Sequence, residues 1–150
     1  MKYSIQRLDK NNLVLMRRLN KLFTDVFEDV ESYADKIPTD AYVESFIANR
    51  DNIVLVATVG EKVVGGLVAY TLTKFERERR EIYLYDLAVS REQQRTGIGR
   101  KLMEELMTIA RAVGAYVVFV QADEGDDAIR FYESLTPSEN IHTRNFDYLT

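Results

Sequence analysis

Residues 94–102 read Gln94-Arg95-Thr96-Gly97-Ile98-Gly99-Arg100-Lys101-Leu102 and follow a predicted β-strand that ends at Val89. A glycine-rich turn opens here directly into an amphipathic helix. The first N–H groups of a helix lack partners and carry the positive end of its dipole, so they bind anions. Gly97 and Gly99 let the backbone approach such an anion. Three cations cluster at this end, which is unfavourable without a counter-ion. The segment therefore predicts a diphosphate site.

Two familiar phosphate motifs do not match this segment. A P-loop requires Gly-Lys-Ser/Thr, whereas Gly99 is followed by Arg100 and Lys101. A dinucleotide fingerprint requires a small residue three places after Gly99, where this chain has Leu102. An alternative without a ligand stays open, namely a glycine-rich helix start with solvated basic side chains. The strand before the turn and the helix after it favour the anion site.

The composition excludes several classes of site and partner. The chain has 150 residues, no cysteine and one histidine, His142. These counts exclude a thiolate nucleophile, a disulfide scaffold and a cysteine or multi-histidine metal site, so we expect no metal. The net charge of −4 argues against nucleic-acid binding. Because neither a membrane-length apolar run nor a signal peptide is recognisable, we expect one cytoplasmic domain over residues 1–150 without a membrane partner.

The hydrophobic pattern predicts ten elements in the order β-α-α-β-β-β-α-β-α-β. This is an α/β (α+β) fold with a mixed, mostly antiparallel central sheet and helices on both faces. We expect strands at 5–8, 53–59, 63–72, 81–89, 115–121 and 141–149. We expect helices from Asn11 or Asn12 to 27, from Thr39 or Asp40 through 47, at 97–113, and from Asp126 or Asp127 to 135.

Two strands carry features that the pattern alone leaves open. Simple alternation along 81–89 predicts one face with Glu81, Tyr83, Tyr85 and Leu87, and another with Ile82, Leu84, Asp86 and Ala88. Tyr83 and Tyr85 are interpreted as core or cleft wall. Gly65 and Gly66 lie inside the strand 63–72. They indicate either a bulge or tight bend, or a close approach of the backbone to a ligand.

Three segments together resemble the GNAT superfamily of acetyl-CoA-dependent N-acetyltransferases. The family pattern Gln/Arg-x-x-Gly-x-Gly/Ala is matched by Gln94-x-x-Gly97-x-Gly99, and Leu87-Ala88-Val89 and Phe131-Tyr132-Glu133-x-Leu135 resemble the fourth strand and a late helix of the family. The resemblance implies a GNAT-type sheet and acetyl-CoA as cofactor. It implies these cofactor-binding residues: Leu87, Ala88, Val89, Gln94, Arg95, Thr96, Gly97, Ile98, Gly99, Arg100 and Lys101.

Four separated blocks are similar to a narrower group, the type I aminoglycoside 3-N-acetyltransferases. The blocks are 81–89, 114–127, the early segment Leu22-Phe23…Phe27-x-Asp29-Val30…Tyr33, and Lys74-Phe75-Glu76. This resemblance implies acetyl transfer to the 3-amino group of aminoglycoside antibiotics such as gentamicin, and hence antibiotic resistance. A homodimer is compatible with the superfamily by analogy alone.

The implied reaction needs a base for the acceptor ammonium and a proton for the departing thiolate. Because the chain lacks cysteine, direct attack in a ternary complex is favoured over an acetyl-cysteine route. Backbone N–H groups near 87–89 would polarise the thioester oxygen. Tyr132 is the candidate proton donor, and Asp86 and Asp123 are the candidate catalytic carboxylates.

Carboxylates suit a polycationic amine by charge and by charge-assisted hydrogen bonding. The candidate substrate-binding residues are Glu28, Asp29, Glu81, Tyr83, Asp126 and Asp127. Purely structural alternatives stay open. Asp126 or Asp127 caps the last helix, an arginine satisfies Asp86, and Glu28, Asp29 and Glu81 are solvated.

Two other functions also remain open. One is an acetyltransferase for a protein amine or a polyamine, which an acidic cleft suits equally well. The other is an acetyl-CoA-binding module without transfer activity. The absence of Tyr132 or of the acidic run 123–127 would have favoured the binding module, and both are present.

Overall fold

The computed structural model describes residues 2–29 and 31–150. Val30 and the side chain of Tyr33, both in the early block quoted above, lie outside the described parts. In chain order the elements are β1 (Ser4–Arg7), α1 (Leu13–Phe27), a π-helical turn (Glu31–Asp35), α2 (Asp40–Ala48), β2 (Asn52–Val59), β3 (Lys62–Thr73), β4 (Arg80–Val89), a 3₁₀ turn (Arg91–Gln93), α3 (Ile98–Ala112), β5 (Ala115–Val120) and α4 (Ala128–Ser134).

The five strands form one sheet in the order β1-β2-β3-β4-β5. All neighbours are antiparallel except β4 and β5, which run parallel. A core that includes Leu19, Phe23 and Ile47 lies under α1 and α2. A second core, with Leu102 and Leu106 of α3, lies on the other side. The predicted mixed, mostly antiparallel sheet with helices on both faces is confirmed.

Local chemistry explains several helix boundaries. The side chain of Thr39 accepts a hydrogen bond from the Tyr42 N–H at 3.2 Å and caps α2, as expected. The helix α3 starts after Gly97 and ends at Ala112, two residues before Gly114. Gly97 and Gly114 have φ values of 91° and 74°, which favour glycine. Among the helices of the described residues, none is both long and apolar enough to cross a bilayer.

The glycine pair in β3 lets helices approach the sheet from both sides. A Cβ on Gly66 would lie 2.4 Å from Leu19 Cδ1 and 2.7 Å from the Leu55 carbonyl oxygen. A Cβ on Gly65 would lie 3.1 Å from Ile98 Cγ2. The register also shifts beside Gly65, between Ala57 and Thr58 of β2. Close helix packing and a local bulge therefore account for both glycines.

A bulge in β4 overturns the predicted alternation of its faces. Val68 pairs with Asp86, but the next residue, Ala69, pairs with Leu84, so Tyr85 has no position in the ladder. As a result, Leu87 joins Leu84 in the core under α3, and Ala88 joins the core under α1. Asp86 consequently lies on the same side of the sheet as Val68 and not with Leu84. The prediction was wrong because one inserted residue reverses the period-2 pattern beyond it.

The predicted last strand at 141–149 is also wrong. Residues 137–150 form neither helix nor strand. The apolar residues there are Ile141, Phe146, Tyr148 and Leu149, and all four are exposed. The polar run 142–145 interrupts them, so the segment has no continuous apolar face to bury against the sheet. Without such a face, pairing with the sheet would bury too little apolar surface to hold the segment as a strand.

Candidate functional site

The parallel strands β4 and β5 separate halfway along β4. Their register runs from Arg80 with Ala115 to Leu84 with Val120 and ends there. From Asp86 to Val89, β4 pairs with β3 alone. An unpaired strand edge leaves alternate N–H and C=O groups without partners. The backbone of the predicted cofactor-binding residues Leu87, Ala88 and Val89 thus borders an opening in the sheet.

The N-terminus of α3 lies beside this opening because the connection after β4 is folded by its own hydrogen bonds. The Gln94 side-chain amide donates to the Val89 carbonyl at 3.2 Å. The Thr96 hydroxyl donates to the Gln93 carbonyl at 2.5 Å. Ile98 is buried under the sheet and anchors the first turn of α3. The first N–H groups of the helix are thereby held at the end of β4.

The cations of the motif have different surroundings. Arg100 Nη2 donates to the Ser134 carbonyl at 3.2 Å, and Lys101 Nζ pairs with Glu104 at 3.2 Å. Arg95 is exposed, has a left-handed φ of 63°, and makes no hydrogen bond or ion pair with the described residues. The first turn of α3 contains no acidic residue. A helix N-terminus without acidic residues, next to an arginine that has no partner among the described residues, fits a diphosphate group.

Gly99 also has a packing role, beside the predicted one of letting the backbone approach an anion. A Cβ on Gly99 would lie 3.0 Å from Phe131 Cε1 and 3.1 Å from Phe131 Cζ. Gly99 is buried, and α4 packs directly against it through this ring. The second glycine of the motif therefore positions α4, which carries Tyr132.

Tyr132 is half-buried on α4 and packs against the core under α3. Burial raises the pKa of Tyr132 to about 12, and the negative charges of Asp126 and Asp86 contribute in the same direction. The hydroxyl therefore keeps its proton throughout the neutral range. Asp86 and Tyr132 also line one cleft. The structure thus brings these two predicted site residues to the same cavity.

The acidic run at the end of β5 is exposed, and its members differ in role. Asp126 Oδ1 accepts the Ala128 N–H at 2.8 Å, whereas the Asp127 side chain makes no capping bond. The capping role predicted for Asp126 or Asp127 thus falls to Asp126. Asp123 lines the large cleft that is also lined by residues of β5 and of the segment after α4.

Nowhere in residues 2–29 and 31–150 do three or more acidic or histidine side chains form a group suited to a metal ion.

A row of aromatic rings extends from α2 to β5 beside Asp86. Ring centroids lie 6.1 Å apart for Phe46–Tyr70, 5.9 Å for Tyr70–Tyr85, 5.8 Å for Tyr85–Tyr83 and 4.7 Å for Tyr83–Phe119. The Tyr83 hydroxyl donates to Gln121 Oε1 at 2.8 Å. Burial raises the pKa values of Tyr70 and Tyr83, and neighbouring Tyr85 and Asp86 add to this. The row lines a large open cleft of about 1990 Å³.

The sequence predicts only Tyr83 of this row as a site residue. The alternation of Tyr83 and Tyr85 was a usable signal, but it did not show which side of the sheet the rings occupy. Tyr70 and Phe46 come from other elements, 13 or more residues away in the chain. Only the packing of α2, β3 and β4 brings them to Asp86.

The remaining acidic candidates lie in three places. Glu81 stands near the start of β4, hydrogen-bonded to Tyr116 and 3.4 Å from Lys74 Nζ, and the structure does not bring it to Asp86. The hydrogen bond from the Tyr116 hydroxyl lowers the pKa of Glu81, and the positive charge of Lys74 acts in the same direction. Glu28 forms an ion pair with Arg91, directly before the glycine-rich turn.

Asp29 is the acidic candidate from the α1 side of the cleft. Its Oδ1 accepts the Ser32 N–H at 3.0 Å, and this bond lowers the pKa of Asp29. Asp29 and Asp86 both line the large cleft, together with Tyr70 and Tyr85. The loop after α1 therefore contributes one carboxylate to the cleft that the aromatic row also lines.

Comparison with solved structures finds close relatives over nearly the whole chain. An aminoglycoside acetyltransferase from an uncultured soil metagenomic sample is 38% identical, with a TM-score of 0.91 over 99% of this chain and 100% of that one. A second such enzyme, also from soil metagenomic DNA and solved with sisomicin, is 35% identical, with a TM-score of 0.92 over 99% and 96% of the two chains. Glucosamine-6-phosphate N-acetyltransferase from Arabidopsis thaliana, 18% identical with a TM-score of 0.78 over 100% of both chains, shares the fold.

Sequence comparison agrees at the family level. An uncharacterised N-acetyltransferase of Bacillus subtilis, CgeE, is 30% identical over 77 residues, which are 50% of this chain and 30% of that protein. The chain thus spans less than a third of this curated relative. The model of the acetyltransferase (GNAT) family matches residues 16–136, from α1 through α4. That range includes the separated strands β4 and β5, the glycine-rich start of α3 and Tyr132. The chain belongs to the GNAT acetyltransferase family.

Proposed function

We propose that this acetyltransferase uses acetyl-CoA to acetylate the 3-amino group of aminoglycosides, and so confers resistance to them. The observation that carries the proposal is that Tyr132, Asp86 and Arg100 of the first turn of α3 line one cleft. The close relatives support the acceptor class, because they are aminoglycoside acetyltransferases at 35–38% identity and one was solved with sisomicin. The 3-amino position rests on the resemblance of the four sequence blocks.

The residues around the opening fit acetyl-CoA. The N–H groups at the start of α3, with Gly97 and Arg95, would hold the diphosphate. The free edge of β4 from Leu87 to Val89 would pair with the amide-containing arm, because strand edges bind extended chains through backbone hydrogen bonds. When bound, acetyl-CoA supplies an acetyl thioester, whose C–S bond breaks as a C–N bond to the acceptor amine forms.

Two side chains handle the protons in this proposal. The Asp86 carboxylate, directly or through a water molecule, accepts the proton that the acceptor ammonium must lose before its nitrogen can attack. Asp123 at the end of β5 is the alternative base. The Tyr132 hydroxyl donates its proton to the departing sulfur, and its pKa of about 12 ensures that the proton is present at neutral pH. The chain has no cysteine, so direct transfer between the two substrates is favoured.

The charge distribution of the cleft suits a polycationic acceptor. Asp29 approaches it from the α1 side, Asp86 from β4, and Asp123 from the end of β5. Asp126 and Asp127 lie on the same loop as Asp123 and extend its negative surface. Each carboxylate can form charge-assisted hydrogen bonds to ammonium groups. A ligand with several ammonium groups would therefore be held at several points.

The decisive experiment offers the purified enzyme acetyl-CoA and one of three amines: gentamicin, spermidine or a peptide with a free N-terminus. Thiol release measures turnover, and NMR of the product locates the acetyl group. We expect turnover with gentamicin and acetylation at its 3-amino group. Acetylation at another amine would refute the position, and turnover with spermidine or the peptide alone would refute the acceptor class. The Tyr132→Phe variant, as a control, should show that thiol release depends on this site.

A further inference from the structure

The bulge in β4 gives Tyr85 a position that no other residue of the aromatic row has. Because Tyr85 has no partner in the β3–β4 ladder, both it and Asp86 line the cleft on the α1 side of the sheet. β-Bulges commonly re-aim a side chain beside an active site. We propose that Tyr85 is a specificity-determining residue, whose ring is the surface on which a ring-shaped amine acceptor packs. This inference rests on the proposed function and specifies how its acceptor is recognised.

Neighbouring rings hold the Tyr85 ring in one orientation. Tyr70 and Tyr83 each contact it edge-to-face, at interplanar angles of 75°. Phe46 of α2 in turn contacts Tyr70 at 79°. Aromatic pairs favour such T-shaped geometry, so the row is a stable support. Despite these contacts, 57% of Tyr85 remains exposed, and it is exposed into the cleft. A ring that two neighbours support and that remains more than half exposed is available to a ligand.

The chemistry of this surface matches an aminated six-membered ring. Such a ring has an apolar C–H face and ammonium substituents at its rim. The apolar face can pack on the Tyr85 ring, and an adjacent ammonium is attracted by the π electrons. Asp86, next in the chain, provides a carboxylate at the edge of the same surface. A linear amine offers the charge without the flat apolar face, so Tyr85 should favour ring-shaped acceptors over linear ones.

The test compares Tyr85→Leu and Tyr85→Phe with the parent enzyme. Tyr85→Leu should raise the KM for gentamicin about three- to tenfold, as expected for loss of an aromatic–cation contact at a partly exposed site. The KM for acetyl-CoA should stay within about twofold. Tyr85→Phe keeps the ring and should resemble the parent. Tyr148→Leu removes an exposed tyrosine from the C-terminal segment and is the matched control. If Tyr85→Leu fails to fold, Tyr85→Val is measured instead.

A pair of probes separates ring packing from charge. In 2-deoxystreptamine two amines sit on a cyclohexane ring, and 1,3-diaminopropane has the same amine spacing without the ring. Tyr85→Leu should weaken competitive inhibition by 2-deoxystreptamine and leave that by 1,3-diaminopropane unchanged. Equal weakening of both, or a gentamicin KM within about twofold of the parent, would overturn the proposal.

The two proposals can fail separately. If the parent acetylates gentamicin and Tyr85→Leu has no effect, the inference about Tyr85 fails and the proposed function stands. If the parent acetylates no aminoglycoside, the proposed function fails. The Kd of 2-deoxystreptamine for the parent and for Tyr85→Leu, measured by NMR titration, then decides whether Tyr85 still binds aminated rings.

Discussion

Gly99 of α3 lies against the ring of Phe131 of α4, so closely that a Cβ on Gly99 would be 3.0 Å from Phe131 Cε1. The glycine-rich motif and the helix that carries Tyr132 are therefore in direct contact. A change at Gly99 would displace α4 as well as alter the start of α3. Loss of cofactor binding in a Gly99 variant would consequently not show, by itself, that Gly99 contacts the diphosphate.

The contact between Gly99 and Phe131 predicts a rescue. Gly99→Ala should lower the free energy of unfolding by about 1 kcal/mol, because overpacking against Phe131 costs more than alanine gains over glycine within a helix. It should also lower kcat by displacing Tyr132. Phe131→Leu, combined with Gly99→Ala, should recover part of both losses. Thermal unfolding and steady-state kinetics of the two single variants and the double variant test this coupling. Strictly additive effects would contradict it.

Arg95 provides a cleaner test of the diphosphate site than Gly99 does. Arg95→Asn should raise the KM for acetyl-CoA about fivefold, since a charge-assisted hydrogen bond would be lost. Asparagine tolerates the left-handed φ of 63°, so the turn should keep its shape. The control is Arg77→Asn, which makes the same change at an exposed position of the loop between β3 and β4. Calorimetric CoA affinity equal in parent and Arg95→Asn enzymes would refute the assignment.

Tyr132 should affect kcat and not affinity. Tyr132→Phe removes only the hydroxyl and should lower kcat about tenfold or more, the lower end of what a positioned proton donor contributes. Because burial raises the pKa of Tyr132 to about 12, its proton should stay in place well above pH 9. The kcat of the parent should therefore not fall between about pH 8 and 10, where an ordinary tyrosine begins to ionise. A decline centred near 10 that disappears in Tyr132→Phe would contradict the raised pKa.

The acidic loop should separate into binding and structural contributions. Asp123→Asn and Asp127→Asn should raise the KM for the aminoglycoside, leave that for acetyl-CoA nearly unchanged, and cause little loss of stability. Asp126→Asn should also destabilise α4, because Asp126 accepts the Ala128 N–H. We expect a loss of about 0.3–1 kcal/mol, because the negative charge at the helix start is removed while asparagine keeps the capping acceptor. Kinetics at two salt concentrations add a check, because screening should raise the aminoglycoside KM of the parent. A salt-independent KM and unaffected Asp123→Asn and Asp127→Asn variants would leave the loop only its structural role.

Features with a local physical cause could be predicted from the sequence. Apolar residues at helical spacing predict α1 and α3, because one face of each helix must be buried. The glycines and cations of 94–102 predict an anion site, because the start of any helix has free N–H groups. The fold class and its first nine elements follow from such signals, as does the resemblance that points to Tyr132.

Other features depend on contacts between residues far apart in the chain, and only the tertiary structure decides them. The pairing of β3 with β4 inserts Tyr85 as a bulge and moves Asp86 to the other side of the sheet, which alternation within β4 cannot show. Phe131 gives Gly99 a packing role, and Lys74 and Tyr116 engage Glu81. The segment 141–149 has residues that favour strands but no ladder to join. Secondary-structure preference is a property of a segment, whereas register, burial and ion pairing are properties of the partners that the fold brings to it.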